Sequence, residues 1–194
     1  MRLFRLLLRR KQSKGHGIHS PFAFDIITNV LNSPYSYYAF TDIPESFPYS
    51  KGEYKKTKKF NHLSFRLVNH FKATNILEIN PGNGSNTSYI KSPSSKINYN
   101  SISEIASFVN VEKLKFDSVF VNIIGDENSI PSIEMLLEIS HENTFWVINP
   151  INTKYSKHFC QLIVNHESIT MSYDINNTLV VFLRQSYHKH HYFV

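Results

Sequence analysis

The chain has 194 residues, 41% hydrophobic and 19% charged, with 15 Phe and 11 Tyr. That is enough for one domain with a real core and too few for two ordinary ones, and it excludes a disordered chain. The net charge of +6 is concentrated in "MRLFRLLLRRKQSK" and "KGEYKKTKK". A basic balance can serve nucleic acid or an anionic membrane, but no RNA-binding aromatic motif, zinc finger or basic zipper accompanies it. A solvated basic rim is the favoured reading. The single cysteine, Cys160, excludes an internal disulfide and reads as a small buried hydrophobe on a helix.

No apolar run approaches the roughly 20 residues of a membrane span. The opening "RLFRLLLRR" is too short and too interrupted by Arg for a secretory core. It is predicted to pack as a helix on the domain through Leu3, Leu6 and Leu7, with a helix lying weakly on a membrane as the alternative. Cytoplasmic is the expected location.

Residues 1–72 are expected to form a helical cap and loop region. In "HSPFAFDIITNVLN" Ser20 can cap, Pro21 suits the first helical position, and Phe22, Ile26, Ile27 and Val30 recur on one face. The following "SPYSYYAFTDIPESFPYSKGEY", with Pro34, Pro44, Pro48 and Gly52, is predicted as a long loop and a candidate lid. "KKFNHLSFRLVNHFK" is a helix with the stripe Phe60, Leu63, Leu67, Val68 and Phe71.

Residues 73–194 alternate strands with helices. The predicted strands are "NILEIN", "KINYN", "SVFVNII" and "TFWVIN". The predicted helices are "SNTSYIK", "SEIASFVNVEKL", "SIPSIEMLLEISH" and "TKYSKHFCQLIVNH". Such alternation argues for an α/β fold, a doubly wound parallel sheet with helices on both faces. At the end "SITMSYD" and "TLVVFLR" form a hairpin through "INN", whose asparagines tolerate positive φ. In a sheet of this kind ligands bind beyond the carboxyl ends of the strands. "ILEINPGNGSN" runs off the first strand in that place, with Gly82 and Gly84 allowing close backbone approach and a helix beginning near Ser85.

The order acid–x–Gly–x–Gly–x–Gly after an apolar strand resembles the first motif of class I S-adenosylmethionine-dependent methyltransferases. Here it reads Glu78, Ile79, Asn80, Pro81, Gly82, Asn83, Gly84. Asn80 stands at the first glycine, where positive φ favours Asn among the substitutes. "GHGIHSPFAFDIITNVL", "FRLVNHFKATNILEIN" and "SITMSYDINNTLVVFLRQSYHKHHYFV" are further similar to small methyltransferase-like proteins of the Bacteroidetes type. The resemblance implies a Rossmann-like methyltransferase fold with an antiparallel inserted last strand and a helical N-terminal cap. It also implies a cofactor set of Glu78, Asn80, Gly82, Gly84 and Asn100.

The chain departs from that family at its acids. The second strand ends in Asn100 where a carboxylate would hold ribose hydroxyls, with Glu104 placed on the next helix. Only about 18 residues separate Asn100 from the strand at Ser118, too few for the family's third strand, which is expected to be missing. Asn122 stands in an Asp position, and Asn149, Pro150 and Asn152 stand where acid, acid and histidine would hold a divalent ion. Hard cations want anionic oxygens, so no metal is expected. Asp126 and Glu127 are read as the start of the next helix, where acids suit the positive end of the dipole. The histidines of "YHKHHYFV" lack a metal-site spacing, since His188 and His190 would share one face and His191 the other. His16 and His19, in "GHGIHSPF", offer a candidate general base, His19 before His16, and the favoured role of His19 is a local backbone bond that fixes the helix start.

The expected function is a methyltransferase-fold protein that has lost catalysis and binds S-adenosylmethionine weakly or not at all, leaving a role in binding a protein partner or small ligand. One alternative is an active, metal-independent methyltransferase on a small-molecule acceptor, with His19 or a lid tyrosine handling that acceptor. The other is a basic peripheral membrane or nucleic-acid binding module.

Overall fold

Residues 2–47, 51–125 and 129–194 are described by the computed structural model. They divide into two units, one of Met1–Lys72, Asn83–Lys96 and Phe193–Val194, the other of Ala73–Gly82 and Ile97–Tyr192.

The first unit is helical. Helix α1 (Arg2–Gln12) stops in a left-handed cap. Gly15 takes φ +77°, its N–H donates to the Gln12 carbonyl, and the His16 N–H reaches back to the Lys11 carbonyl. Two residues of the face expected to be buried are not: Leu6 and Leu7 are each 56% exposed, and the side chain of Leu3 lies outside the described residues. What engages instead is the opposite side, where Gln12 Oε1 accepts the Phe193 N–H at 2.8 Å and Arg5 lies 5.6 Å over the Phe193 ring. Period 3.6 marks an apolar stripe on a helix but does not say whether a neighbour exists to cover it.

Helix α2 (Pro21–Asp25) starts as its sequence predicts, with Ser20 Oγ accepting the Ala23 N–H at 3.2 Å. It widens into a π-helical turn, Ile26–Leu31, and the adjacent Ile26 and Ile27 are both fully buried. The predicted long loop is largely helical. Helix α3 (Ala39–Ser46) carries Pro44 inside it, and α4 (Lys51–Phe71) begins seven residues before the predicted Lys58 start. Pro44 hid α3 from the sequence reading, since proline is read as a breaker, yet here it stands inside the helix. Between α3, α4 and α5 (Ser85–Lys91), Phe40 stacks on His62 at 3.7 Å and Tyr89 lies 5.6 Å from His62. Burial there, with the Lys58 and Arg66 charges, pushes the His62 imidazole down to about 4.

The second unit is built on a seven-stranded sheet. Its strands are β1 (Asn75–Ile79), β2 (Asn98–Ile102), β3 (Phe116–Asn122), β4 (Ser140–Asn149), β5 (Met171–Ile175), β6 (Thr178–Phe182) and β7 (His190–Phe193). The order is β2-β1-β3-β4-β6-β5-β7. β1 to β4 pair in parallel, and β6 enters antiparallel between β4 and β5. β2 is the edge, and among the described residues no strand lies beyond it, as the short spacing to Ser118 predicts; a short 3₁₀ turn, Ile105–Asn110, stands where a longer helix was predicted. β4 begins at Ser140, inside the predicted preceding helix, which contracts to α6 (Ile133–Glu138).

One sheet face packs Leu77, Val119, Trp146 and Val181 against Leu136 of α6 and Phe159 and Ile163 of α7 (Lys154–Asn165). The other carries an aromatic ladder. Phe120, Phe145, Phe182, Tyr173 and Tyr192 follow one another across β3, β4, β6, β5 and β7 at 5.3–6.3 Å. Cross-strand aromatic pairs of this kind extend the sheet to β7, in the segment whose histidines were read with strand alternation.

At the amino ends of the strands, Asp117 Oδ2 accepts from the Thr74 N–H (2.7 Å), the Thr74 hydroxyl (3.0 Å) and the Asn75 N–H (2.8 Å), while His141 Nε2 meets Oδ1 at 3.2 Å. Burial alone would raise this carboxyl, but those bonds together hold it below its ordinary value. A folded-state pKa below the unfolded one gives stability that is full above the usual Asp range, about 3.9, and is lost as pH falls through the folded value. Asp117→Asn is therefore expected to flatten the acid limb of the stability–pH curve below about pH 5. Parallel thermal melts of both proteins check this, and identical acid limbs would rule the network out as a source.

Candidate functional site

The carboxyl end of β1 holds the only acid of the glycine-turn motif. Glu78 is fully buried. β1 lies between β2 and β3, and Glu78 stands opposite Ser101 on one side and Phe120 on the other. The residues two positions away share its sheet face. Those are Tyr99 and Asn122, and both close on the carboxylate. Tyr99 Oη donates to Oε2 at 2.8 Å, and Asn122 Nδ2 donates to Oε1 at 2.9 Å. A buried carboxylate needs such donors, because its desolvation is costly without them.

The turn after β1 is tied to the same strand end. Asn80 takes φ +57°, the left-handed conformation expected of it, and Gly82 takes φ +61°. Asn80 Nδ2 donates to the Asn122 carbonyl and the Ser129 carbonyl, both at 3.2 Å, and its N–H donates to the Ile102 carbonyl at 2.8 Å. Asn122 thus joins both halves of the motif, by its amide to Glu78 and by its carbonyl to Asn80.

At the end of β4, Asn149 Nδ2 donates to Thr178 Oγ1 at 2.7 Å and to the Asn177 carbonyl at 3.0 Å, at the β5–β6 turn. Pro150 follows through a cis peptide and offers no side-chain ligand; Asn152 is exposed. The amides in the acid positions of β3 and β4 therefore clamp backbone and side chains. Neutral amides held in this way do not fit a divalent ion. Asp126 and Glu127 lie outside the described residues.

The β2 edge corrects the sequence reading. Asn100 is in mid-strand, paired with Leu77, and β2 runs on to Ile102, opposite Ile79. The acid nearest the strand end is Glu104, in extended conformation before the 3₁₀ turn. Asn100, Ser101, Ser103, Glu104 and Ser107 line an open groove of about 580 Å³. The signal was the exposed–buried alternation of Ser101 and Ile102, hidden by the low strand propensity of Asn and Ser.

Within the helical unit, Gly84 takes φ +78° and precedes α5, where Asn83 Oδ1 accepts the Ser85 N–H at 3.1 Å. His19 is exposed, and the cap bond expected of it is made by Ser20. In the terminal cluster, His191 Nδ1 meets Ser172 Oγ at 2.7 Å, while His190 lies 4.2 Å from the Tyr192 ring and is held by burial below its ordinary pKa. Among the described residues no group of three His, Cys, Asp or Glu side chains is placed to hold a metal ion. Cys160 is buried on α7, and burial, with the nearby Asp174 charge, pushes its thiol up to about 12, so it is not a nucleophile near neutral pH.

No family model matches the chain, and no curated protein matches it. Solved structures do. It is similar to an O-methyltransferase from Bacillus cereus in complex with SAH, with TM-score 0.54 and 13% identity over 77% of this chain and 92% of that one. It is similar to the cofactor-bound Rv0187 from MTB, with TM-score 0.55 and 10% identity over 88% and 100%. It also resembles the O-methyltransferase TomG from Streptomyces achromogenes, involved in tomaymycin synthesis and solved with SAM, with TM-score 0.51 and 11% identity over 77% and 91%. At these identities the likeness establishes the fold, a Rossmann-like sheet of methyltransferase type with an antiparallel inserted strand.

Proposed function

We propose that this chain is a divergent methyltransferase-fold protein of the Bacteroidetes type that has lost methyl transfer and binds S-adenosylmethionine weakly or not at all. Its remaining role is recognition of a small ligand or a protein partner. The observation that carries this reading is the closure of Tyr99 and Asn122 on both oxygens of Glu78. Glu78 is fully buried and each of its oxygens already accepts an internal donor, so a cofactor group reaching it would have to open that packing, and each internal bond lost would cost about 1 kcal/mol. The positive-φ turn at Asn80 and Gly82 keeps the inherited shape, while Asn122 and Asn149 use their amides as structural bonds instead of metal ligands.

One feature favours a second reading, an active metal-independent methyltransferase. Glu104 borders the groove at the end of β2, where a carboxylate can accept from two ribose hydroxyls. Titration calorimetry with S-adenosylmethionine and its demethylated product separates the two. No saturable binding in the micromolar range is the expected result. Micromolar binding that Glu104→Gln weakens at least about tenfold would favour the second reading, and turnover of any acceptor would overturn the first outright.

A further inference from the structure

We propose that α1 lies in the surface of an anionic lipid membrane, with Leu6 and Leu7 inserted and the surrounding cations on the headgroups. The proposal is independent of the fate of the cofactor turn.

Two sides of α1 do different things. Residues 5, 8, 9 and 12 share one side at three-to-four spacing. On it Gln12 and Arg5 hold Phe193, and Leu8 and Arg9 are half-buried. Residues 6, 7, 10 and 11 share the other side. There Leu6 and Leu7 are each 56% exposed, and Arg10 and Lys11 are exposed beside them. The helix is held this way round at its end. The Gly15 cap closes it, and Asn32 Nδ2 donates to the Ser13 carbonyl at 2.7 Å. The leucines therefore face outward on a fixed element.

Charge complementarity selects the occupant. Arg10 and Lys11 are exposed beside the leucines, Lys14 is exposed just beyond the helix, and the first acid of the chain is Asp25. A protein partner would need a matching acidic groove with an apolar floor. Nucleic acid would satisfy the cations and leave both leucines in water. An anionic bilayer takes both at once, because long basic side chains reach headgroups while leucines enter the acyl boundary. No described helix is long and apolar enough to cross a membrane, so α1 lies in the plane.

Flotation of the full chain with phosphatidylcholine vesicles, and with the same vesicles carrying phosphatidylglycerol, tests this. The expected result is partition into the anionic vesicles only, falling as salt rises. Leu6→Asn with Leu7→Asn, and separately Arg10→Glu with Lys11→Glu, are each expected to lower that partition by about tenfold or more. All four positions are exposed, and circular dichroism of the variants checks that the fold stands. Absence of anionic-vesicle partition, equal partition into neutral vesicles, or an unchanged leucine variant would each overturn the proposal. So would duplex DNA binding that survives the leucine changes in a chain that ignores vesicles.

Discussion

Glu78→Ala is expected to lower the stability of the protein by about 2–4 kcal/mol. Removing the carboxylate leaves the Tyr99 hydroxyl and the Asn122 amide without their acceptors. Both donors are half-buried, so each costs about 1 kcal/mol when its acceptor is lost, and the vacated methylenes of the fully buried Glu78 add a cavity term. Glu78→Gln keeps the shape and one acceptor oxygen and is expected to cost about 1–2 kcal/mol. Urea unfolding of the three proteins measures both. A loss below about 1 kcal/mol in Glu78→Ala would mean that the carboxylate is not a structural centre. The proposal that it has been withdrawn from ligand binding would then lose its basis.

The second large effect belongs to Asn80, where two comparisons separate backbone from side chain. Asn80→Ala places a Cβ-bearing residue without a local hydrogen-bonding side chain at φ +57°, a strain of about 1–2 kcal/mol. It also deletes the two bonds from Nδ2 to the Asn122 and Ser129 carbonyls, about 1 kcal/mol each. The sum is about 3–4 kcal/mol. Asn80→Gly, which restores the residue of the family motif, relieves the φ strain and loses only the bonds. It is expected to cost about 1–2 kcal/mol. Chemical denaturation gives the order. If Gly is as damaging as Ala, positive φ is not why Asn stands here; if Gly is neutral, the amide does not clamp the turn.

These two residues show what kind of information the chain displays openly. The turn at Asn80 and Gly82 was legible because positive φ is a local demand that only a few residue types meet cheaply. Local demands also made the Ser20 cap legible, and the hairpin at Asn176, which takes φ +57°. The partners of Glu78 were not legible. Tyr99 and Asn122 lie 21 and 44 residues away in sequence, and only the parallel register brings them beside one carboxylate. Asn100 was misplaced for a related reason, since strand pairing with β1 carried β2 two residues past the point where composition ended it.

Alternation of strand and helix, the terminal hairpin and the shortened segment after β2 were enough to determine the sheet and its missing edge, because periodicity and chain length restrict which topologies can form. Tertiary structure alone decided the rest. It turned Leu6 and Leu7 outward, seated β7 at the sheet edge through an aromatic ladder, and made α3 out of an expected loop. It also converted the amides at the strand ends into internal bonds. The reason is common to all of these. A side chain's period says which neighbours it can have along its own element, whereas its partner across the fold is set by register and packing, which no local pattern encodes.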